Sequence, residues 1–242
     1  FNIKESLATD AEISRLTKRA AKKGEIWRLR NYFFADESIY IKEKRNMEFQ
    51  FDPTIMSIGD TVYLDGYWQN EKYFKKIEDV IRKEFVARDV MGDEDKAVAQ
   101  SITNAKSISV HIRRSDYVTN PKTNAVHGTC GIDYYLHATK LIATKIPNPH
   151  FFVFSDDHEW VKNNITFAHP TTYVAHNGAD KNYQDLRLMS MCRHNIIANS
   201  SFSWWSAWLN TNPKKIVIAP QRWINDPTRD TSDLIPKTWI RI

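Results

Sequence analysis

From Ser107 onward the sequence predicts a doubly wound α/β domain built on a parallel sheet. Three observations carry that reading. Short apolar runs of strand length (SISVHI, FFVF, NIIA, KIVIAP) alternate with stretches of helical period. Two of them, FFVF and KIVIAP, are apolar almost throughout rather than at every second position, as strands covered on both faces require. No run approaches the ~20 apolar residues of a membrane-spanning helix, and 42% hydrophobic residues over 242 positions can fill a proper core.

Taken in order, residues 9–23 read as a helix. Thr9 and Glu12 form a capping box, Ile13, Leu16 and Ala20 share a face, and Gly24 stops it. Residues 26–65 give only short aromatic-rich strands or loops. Asn70 is placed to cap a second amphipathic helix, with Phe74, Ile77, Ile81 and Phe85 on one side. Residues 91–106 are polar and read as a connector. SISVHI is then a strand, and DYYLHATKLIATKI a helix with Tyr135, Ala138, Leu141 and Ile142 inward. FFVF is a buried strand, DHEWVKNNI a short helix, TYVA a weak strand, YQDLRLMSMC a helix and NIIA a strand. SFSWWSAWLN is a helix whose Phe202, Trp205, Trp208 and Leu209 follow helical spacing, and KIVIAP is the last strand. The turn-rich tail beyond Trp223 predicts no element.

Composition removes several chemistries. Seven glycines and no GxGxxG or GxxxxGK[ST] exclude the glycine-loop nucleotide folds. HExxH and GxSxG are missing too. Cys130 and Cys192 lie far apart with no CxxC, so neither a disulfide framework nor a structural zinc is expected, and a reducing compartment fits. The net charge of +5 suits an anionic ligand, nucleic acid or an acidic membrane surface, yet the basic residues are spread along the chain beside acids, as solvated faces are. Asp93-Glu94-Asp95 has the Asp-x-Asp spacing of metal-dependent sugar transferases. It follows no apolar strand, so no metal site is expected.

Doubly wound sheets bind ligands beyond the carboxyl ends of their strands. Three such ends are rich in polar groups. In the first, SVHIRRSDYV, alternation puts Ser107, Ser109, His111 and Arg113 on one face and Ile108, Val110, Ile112 and Arg114 on the other. Arg113 is therefore expected to meet an anion beside His111, while Arg114 pairs with Asp116 as an internal buttress. The second, Ser155-Asp156-Asp157, suits either a nucleoside's donor groups or the cap of the following helix. The third, Asn199-Ser200-Ser201-Phe202, is either a phosphate seat or an ordinary N-cap.

Read together, VHIRRSDYV, FFVFSDDHEWV and LMSMCRHNIIANSSFSWWSAWLN, with LDGYWQNEKYF before and KIVIAPQRW after, resemble the glycosyltransferase family 11 α-1,2-fucosyltransferases, bacterial members especially. The resemblance runs from about Asp60 to Trp223. It implies a two-domain GT-B-type enzyme that moves L-fucose, with inversion, from GDP-β-L-fucose to O2 of a galactose-terminated oligosaccharide, without metal or other cofactor. The domains would be residues 1–104 on the acceptor side, 105–225 for the donor, and a tail at 226–242. Arg113 and Arg114 would bind the diphosphate, with His111 near the nucleotide. Asp156 or Asp157, beside Ser155, would serve guanine or ribose, and Ser200, Ser201 and Phe202 after Asn199 would close over the diphosphate.

The acceptor would fall to the first domain, where Tyr67 and Trp68 can stack on sugars and Gln69 can hydrogen-bond them. Asp116 is a candidate for the catalytic base. Ser115 and Ser206 replace small residues of the family pattern, and the family's Gly-rich opening segment is not found, so part of the acceptor-side domain is expected to be missing. An inactive GDP-sugar-binding homologue and a basic nucleic-acid-binding module are the alternatives. A bacterial cytosol is the expected setting, with basic faces available to the membrane surface.

Overall fold

The computed structural model describes residues 1–21, 40–44, 47–59 and 61–242. The chain divides into two units, one of residues 3–81 and 228–234, the other of residues 1–2, 82–227 and 235–242.

Strands are numbered along the chain. The smaller unit holds a parallel pair, β1 (Tyr40–Lys42) and β2 (Tyr63–Asp65), with the Tyr40 and Tyr63 rings stacked at 5.6 Å. It also holds the helix Asp10–Ala21, whose capping box forms: Thr9 N–H and Oγ1–H both donate to Glu12 Oε2 at 2.8 Å. The expected Gly24 stop and residues 26–39 lie outside the described residues. After β2 the chain turns at Gly66, where a Cβ would collide with the Glu43 side chain. That close approach lets the Glu43 carboxylate accept from Tyr67 N–H at 2.8 Å and Trp68 N–H at 3.2 Å.

In the larger unit six strands form one parallel sheet: β3 (Ser107–Ile112), β4 (His150–Ser155), β5 (Thr171–Val174), β6 (His194–Ile196), β7 (Val217–Ala219) and β8 (Ile240–Arg241), in the order β5-β4-β3-β6-β7-β8. The chain builds outward from β3 to β5, crosses back to set β6 on the other side of β3, and builds outward again. That reversal makes the space beyond the carboxyl ends of β3 and β6 the topological switch point.

Helices cover both faces. Ile108, Val110 and Ile112 pack on Tyr135, Ala138 and Ile142 of the helix Ile132–Lys145. On the opposite face Phe152 and Phe154 meet Ala99, Ile102, Leu188 and Met189. A buried hydrogen bond from Asn195 Nδ2 to Ser109 Oγ, at 2.7 Å, joins β6 to β3 where the strand turns a polar side chain inward. Among the described residues no helix is long and apolar enough to cross a membrane.

Three expectations are corrected. Residues 91–106 are no connector: Asp93–Asn104 is a helix, started by three acids that suit its positive N-terminal end, and held to the sheet by buried Ala99 and Ile102 with Val98 packed beside them. That helix belongs to the unit of residues 82–227. The single helix expected after Asn70 is instead two 3-10 turns followed by the α-helix Glu78–Glu84. Asn70 does cap, accepting from Lys72 N–H at 3.0 Å, but its Nδ2 also donates to Asp233 O and Tyr73 Oη bonds the Asp52 N–H, which fixes the first turn tightly. Finally, the tail supplies the sixth strand, β8.

Candidate functional site

β3 emerges from the core with its alternation intact. Its inward apolar residues end at Ile112, and His111 points to the other face, where its ring lies 5.5 Å from that of Phe202. His111 is 5% exposed and its Nδ1 is buried with no hydrogen-bond partner. Burial first, and then the Arg113 charge, lower its pKa to about 3, so the ring is neutral at physiological pH. A buried orphan nitrogen at a strand tip is unusual in a folded protein.

The two arginines are held by the neighbouring strand. Because Ile112 pairs with Ser155 in the β3–β4 register, the residues that follow run side by side. Arg113 Nη1 sits 3.1 Å from Asp156 Oδ2, and Arg114 Nε donates to Asp157 Oδ2 at 3.3 Å. Asp156 Oδ1 also accepts the Arg114 backbone N–H at 2.8 Å. The Arg114 guanidinium lies 3.4 Å from the centre of the Trp160 ring. Asp157 in turn caps the helix His158–Asn164 through Trp160 N–H, and Ser155 Oγ accepts the Asp157 N–H. Arg114 is thus buttressed by Asp157 and Trp160. The side chains of Ser115 and Asp116 lie outside the described residues.

Beyond β6 the chain enters the helix Ser201–Leu209 through Ser200, which is extended and makes no side-chain cap. The first-turn N–H groups of Ser201, Phe202 and Ser203 therefore have neither an i−4 partner nor a capping side chain, the arrangement that suits an anion. At the other end of this helix Arg82 donates to the carbonyls of Trp208 and Leu209, and Lys215 Nζ to those of Ala207, Trp208 and Asn210. Asn199 also takes part in the packing of this region. Its Nδ2 donates to the carbonyls of His127, Gly128 and Trp223, tying together the loops around the site.

These loops include two short helices that sequence reading did not foresee, Ser115–Thr119 and Pro121–His127. Gly128, at φ +63°, ends the second, a conformation glycine adopts without strain. Tyr117 has Arg113 over its ring at 5.6 Å and His127 stacked on it at 5.0 Å. The structure therefore brings His111, Arg113, Arg114, Asp156, Asp157, Asn199 and Phe202 into one contact network with Tyr117 and His127.

Tyr67, Trp68 and Gln69 belong to the smaller unit. Tyr67 is 74% exposed, whereas Trp68 is half-buried, edge-on to Tyr73 at 5.8 Å, with a backbone φ of +50° that costs energy in a bulky residue. Gln69 is half-buried.

A second polar cluster was missed. Asp95, on the first turn of its helix, accepts from His176 Nε2 at 2.8 Å and from Asn177 Nδ2 at 3.0 Å, and Asn177 also donates to Asp185 at 2.9 Å. Hydrogen bonds to Asn177 and His176 outweigh burial at Asp95 and hold its carboxyl below the ordinary value. At Asp185 burial dominates and lifts the pKa from 3.8 to about 6. Asp95 stands 81 residues before His176 while Asn177 and Asp185 are eight apart, so no local stretch of sequence displays the cluster. A carboxyl raised on folding holds its proton more tightly folded than unfolded, so stability falls as pH climbs from 3.8 to about 6 and the penalty persists above. Asp185→Asn should therefore stabilise by about 1–3 kcal/mol at pH 8 and by almost nothing at pH 4. Urea unfolding at the two pH values checks this; an equal change at both would contradict the ionisation account.

With this geometry in hand, comparison with known proteins is direct. A family model described as glycosyl transferase family 11 matches residues 3–242. An alpha-1,2-colitosyltransferase of Escherichia coli is 38% identical over 188 residues, covering 77% of this chain and 64% of that protein. The O-antigen biosynthesis glycosyltransferase WbnK of Escherichia coli is 43% identical over 143 residues, 57% of this chain and 45% of that protein. Galactoside alpha-(1,2)-fucosyltransferase 1 of Homo sapiens is 26% identical over 155 residues, 60% and 42% of the two chains. The aligned chain thus spans between about half and two thirds of the length of these two bacterial relatives.

Proposed function

Because this chain belongs to glycosyl transferase family 11, we propose that it transfers a 6-deoxy-L-sugar from a GDP-linked donor to O2 of a terminal galactose. GDP-β-L-fucose is the donor carried by the motifs, and the fucosyltransferase relatives support it. The more similar colitosyltransferase supports colitose, an L-fucose lacking the 3-hydroxyl. The observation that carries the reading is the convergence at the β3–β6 switch point of the Arg113 guanidinium, the buried orphan nitrogen of His111 and the uncapped start of the Ser201–Leu209 helix.

Charge develops on the β-phosphate as GDP departs, and fixed donors stabilise it without reorganising. Arg113 supplies the cation, and the amides and hydroxyls of Ser200 and Ser201 the hydrogen bonds. His111, neutral and with Nδ1 unpaired, takes a donor or acceptor group of the nucleotide. Arg114 holds the strand tip rigid through Asp157 and Trp160. A GT-B-type reading gives donor binding to the six-stranded unit and acceptor binding, through Tyr67, Trp68 and Gln69, to the smaller unit. No metal is required, and a bacterial cytosol with its membrane surface is the setting. Family membership supports a transferase over a nucleic-acid-binding module.

The test is incubation with GDP-fucose and, separately, GDP-colitose, against lactose and other galactosides, with and without EDTA. Transfer that survives EDTA is expected, and the preferred donor decides between the two sugars. Nucleotide binding without transfer would favour an inactive homologue, and no GDP binding would end the reading.

A further inference from the structure

Bases that are scattered along the sequence are gathered by the parallel sheet. All its strands enter from one side, so the residues that precede them share one end of the larger unit, opposite the switch point. Lys106 precedes β3, Lys145 β4, Arg193 β6 and Lys214 β7, and all four are exposed. Because β4, β3, β6 and β7 are consecutive in the sheet, a strand spacing of about 4.8 Å sets these bases in a row roughly 15 Å long. Hydrogen bonds between the strand entries hold it. Lys106 Nζ donates to Pro147 O at 2.9 Å, and His150 N–H donates to Lys106 O at 3.1 Å. Arg193 N–H donates to Ser107 O at 3.0 Å. Arg193 O accepts from Asn212 Nδ2 at 2.9 Å, and Asn212 Oδ1 accepts Lys214 N–H at 3.0 Å.

No acid answers the row. The six strand entries, residues 103–106, 144–149, 165–170, 190–193, 210–216 and 235–239, contain neither Asp nor Glu. Among the described residues no carboxylate pairs with any of the four bases, and Lys145 and Lys214 Nζ donate to no protein group. Helices that return to this end present their carbonyls to it, which by itself favours bases there. Lys215 answers that need, donating to the carbonyls of Ala207, Trp208 and Asn210. The charge of the row is left over.

A flat row of cations fits an extended anionic surface. Thr144, next to Lys145, lines a pocket of about 500 Å³ together with Leu136, Lys140, Ala143, Phe151 and Ala168. The large apolar side chains exposed around the row and this pocket are Met191 and Leu136, and neither is a ring on which a nucleic-acid base could stack. Cations beside aliphatic groups match phospholipid, with its anionic headgroups and aliphatic chains.

We infer that the strand-entry end of the larger unit docks on an anionic phospholipid bilayer, with Lys106, Lys145, Arg193 and Lys214 meeting its phosphates. The crevice at the β3–β6 switch point lies at the other end of the same strands, roughly 20 Å away over the six residues of β3. Docking therefore leaves that crevice facing water. The inference gives the membrane setting a face and stands apart from the transferase reading.

The unmodified protein should co-sediment with vesicles of phosphatidylglycerol and phosphatidylcholine in equal parts, less so as salt is raised, and not with phosphatidylcholine alone. Each base near an anionic surface adds about fivefold to the partition, so Lys145→Gln, Arg193→Gln and Lys214→Gln combined should weaken it about 10²-fold. A control that removes the same charge from exposed positions elsewhere in the unit, Lys83→Gln, Lys96→Gln and Lys181→Gln combined, should stay within about threefold. Circular dichroism reports that both variants fold, and GDP affinity should be the same with and without vesicles. No binding to the mixed vesicles, equal loss in the two triple variants, or competition between vesicles and GDP would overturn the inference. So would a DNA or RNA duplex that outbinds the vesicles through the same three residues. If GDP is not bound at all, the donor reading fails while the vesicle comparison still decides this one.

Discussion

Arg113→Ala is expected to lower kcat/KM for transfer by about 10²–10³-fold, the range seen when one preorganised donor to a developing negative charge is removed. The guanidinium side chain is 35% exposed, so its pair with Asp156 contributes at most about 1 kcal/mol to folding. The variant should therefore fold. Its effect on the donor should be larger than loss of one contact, because Asp156, 21% exposed, then faces the phosphate without a cation between. Arg113→Lys should fall between the two: it keeps the charge but not the planar fork that grips two oxygens at once. Steady-state kinetics with the preferred donor, on protein shown to be folded by circular dichroism, checks the order. Equal rates for Arg113→Ala and the unmodified protein would remove Arg113 from the site.

Arg114→Ala should do the opposite. This side chain is only 16% exposed, spans Asp157 and the face of Trp160, and braces two strand tips. Breaking a fully buried pair costs about 3–5 kcal/mol. Asp157 is 37% exposed, so the ionic part is discounted, and with the lost stacking the change should be about 2 kcal/mol. For a unit of this size that is a fall in melting temperature of roughly 4–8 °C. Activity of the folded fraction should remain within about threefold of the unmodified protein. A thermal melt beside a rate measurement below the transition separates the two effects. An unchanged melting temperature with lost turnover would mean that the two arginines have exchanged roles.

The contrast between these variants also marks where the sequence stopped being legible. Strand alternation separates His111 from Ile108, Val110 and Ile112, since that depends on local geometry alone. The partners of the arginines depend on register. Local spacing offered Asp116, whose side chain lies outside the described residues, to Arg114; the pairing of Ile112 with Ser155 brings Asp156 to Arg113 and Asp157 to Arg114. Nothing in either strand alone specifies that neighbour.

The fold follows the same division. Strands buried on both faces, such as Phe151–Phe154, announce themselves by solid apolar character. The helix Asp93–Asn104 does not, because its buried apolar residues are only Ala99 and Ile102 and its first turn is wholly acidic. β8 is two residues long and exists because β7 offers it an edge. The Asp95, His176, Asn177 and Asp185 cluster joins three segments that only the packed chain brings together.

The central claim is that the crevice at the β3–β6 switch point binds the nucleoside diphosphate of the donor. Calorimetric titration of GDP into the unmodified protein, Arg113→Ala and Arg114→Ala, below the melting range of each, tests it most directly. The account predicts saturable one-to-one binding that weakens at least tenfold in Arg113→Ala and stays within about twofold in Arg114→Ala. Absence of GDP binding, or equal affinity in the unmodified protein and Arg113→Ala, would contradict it.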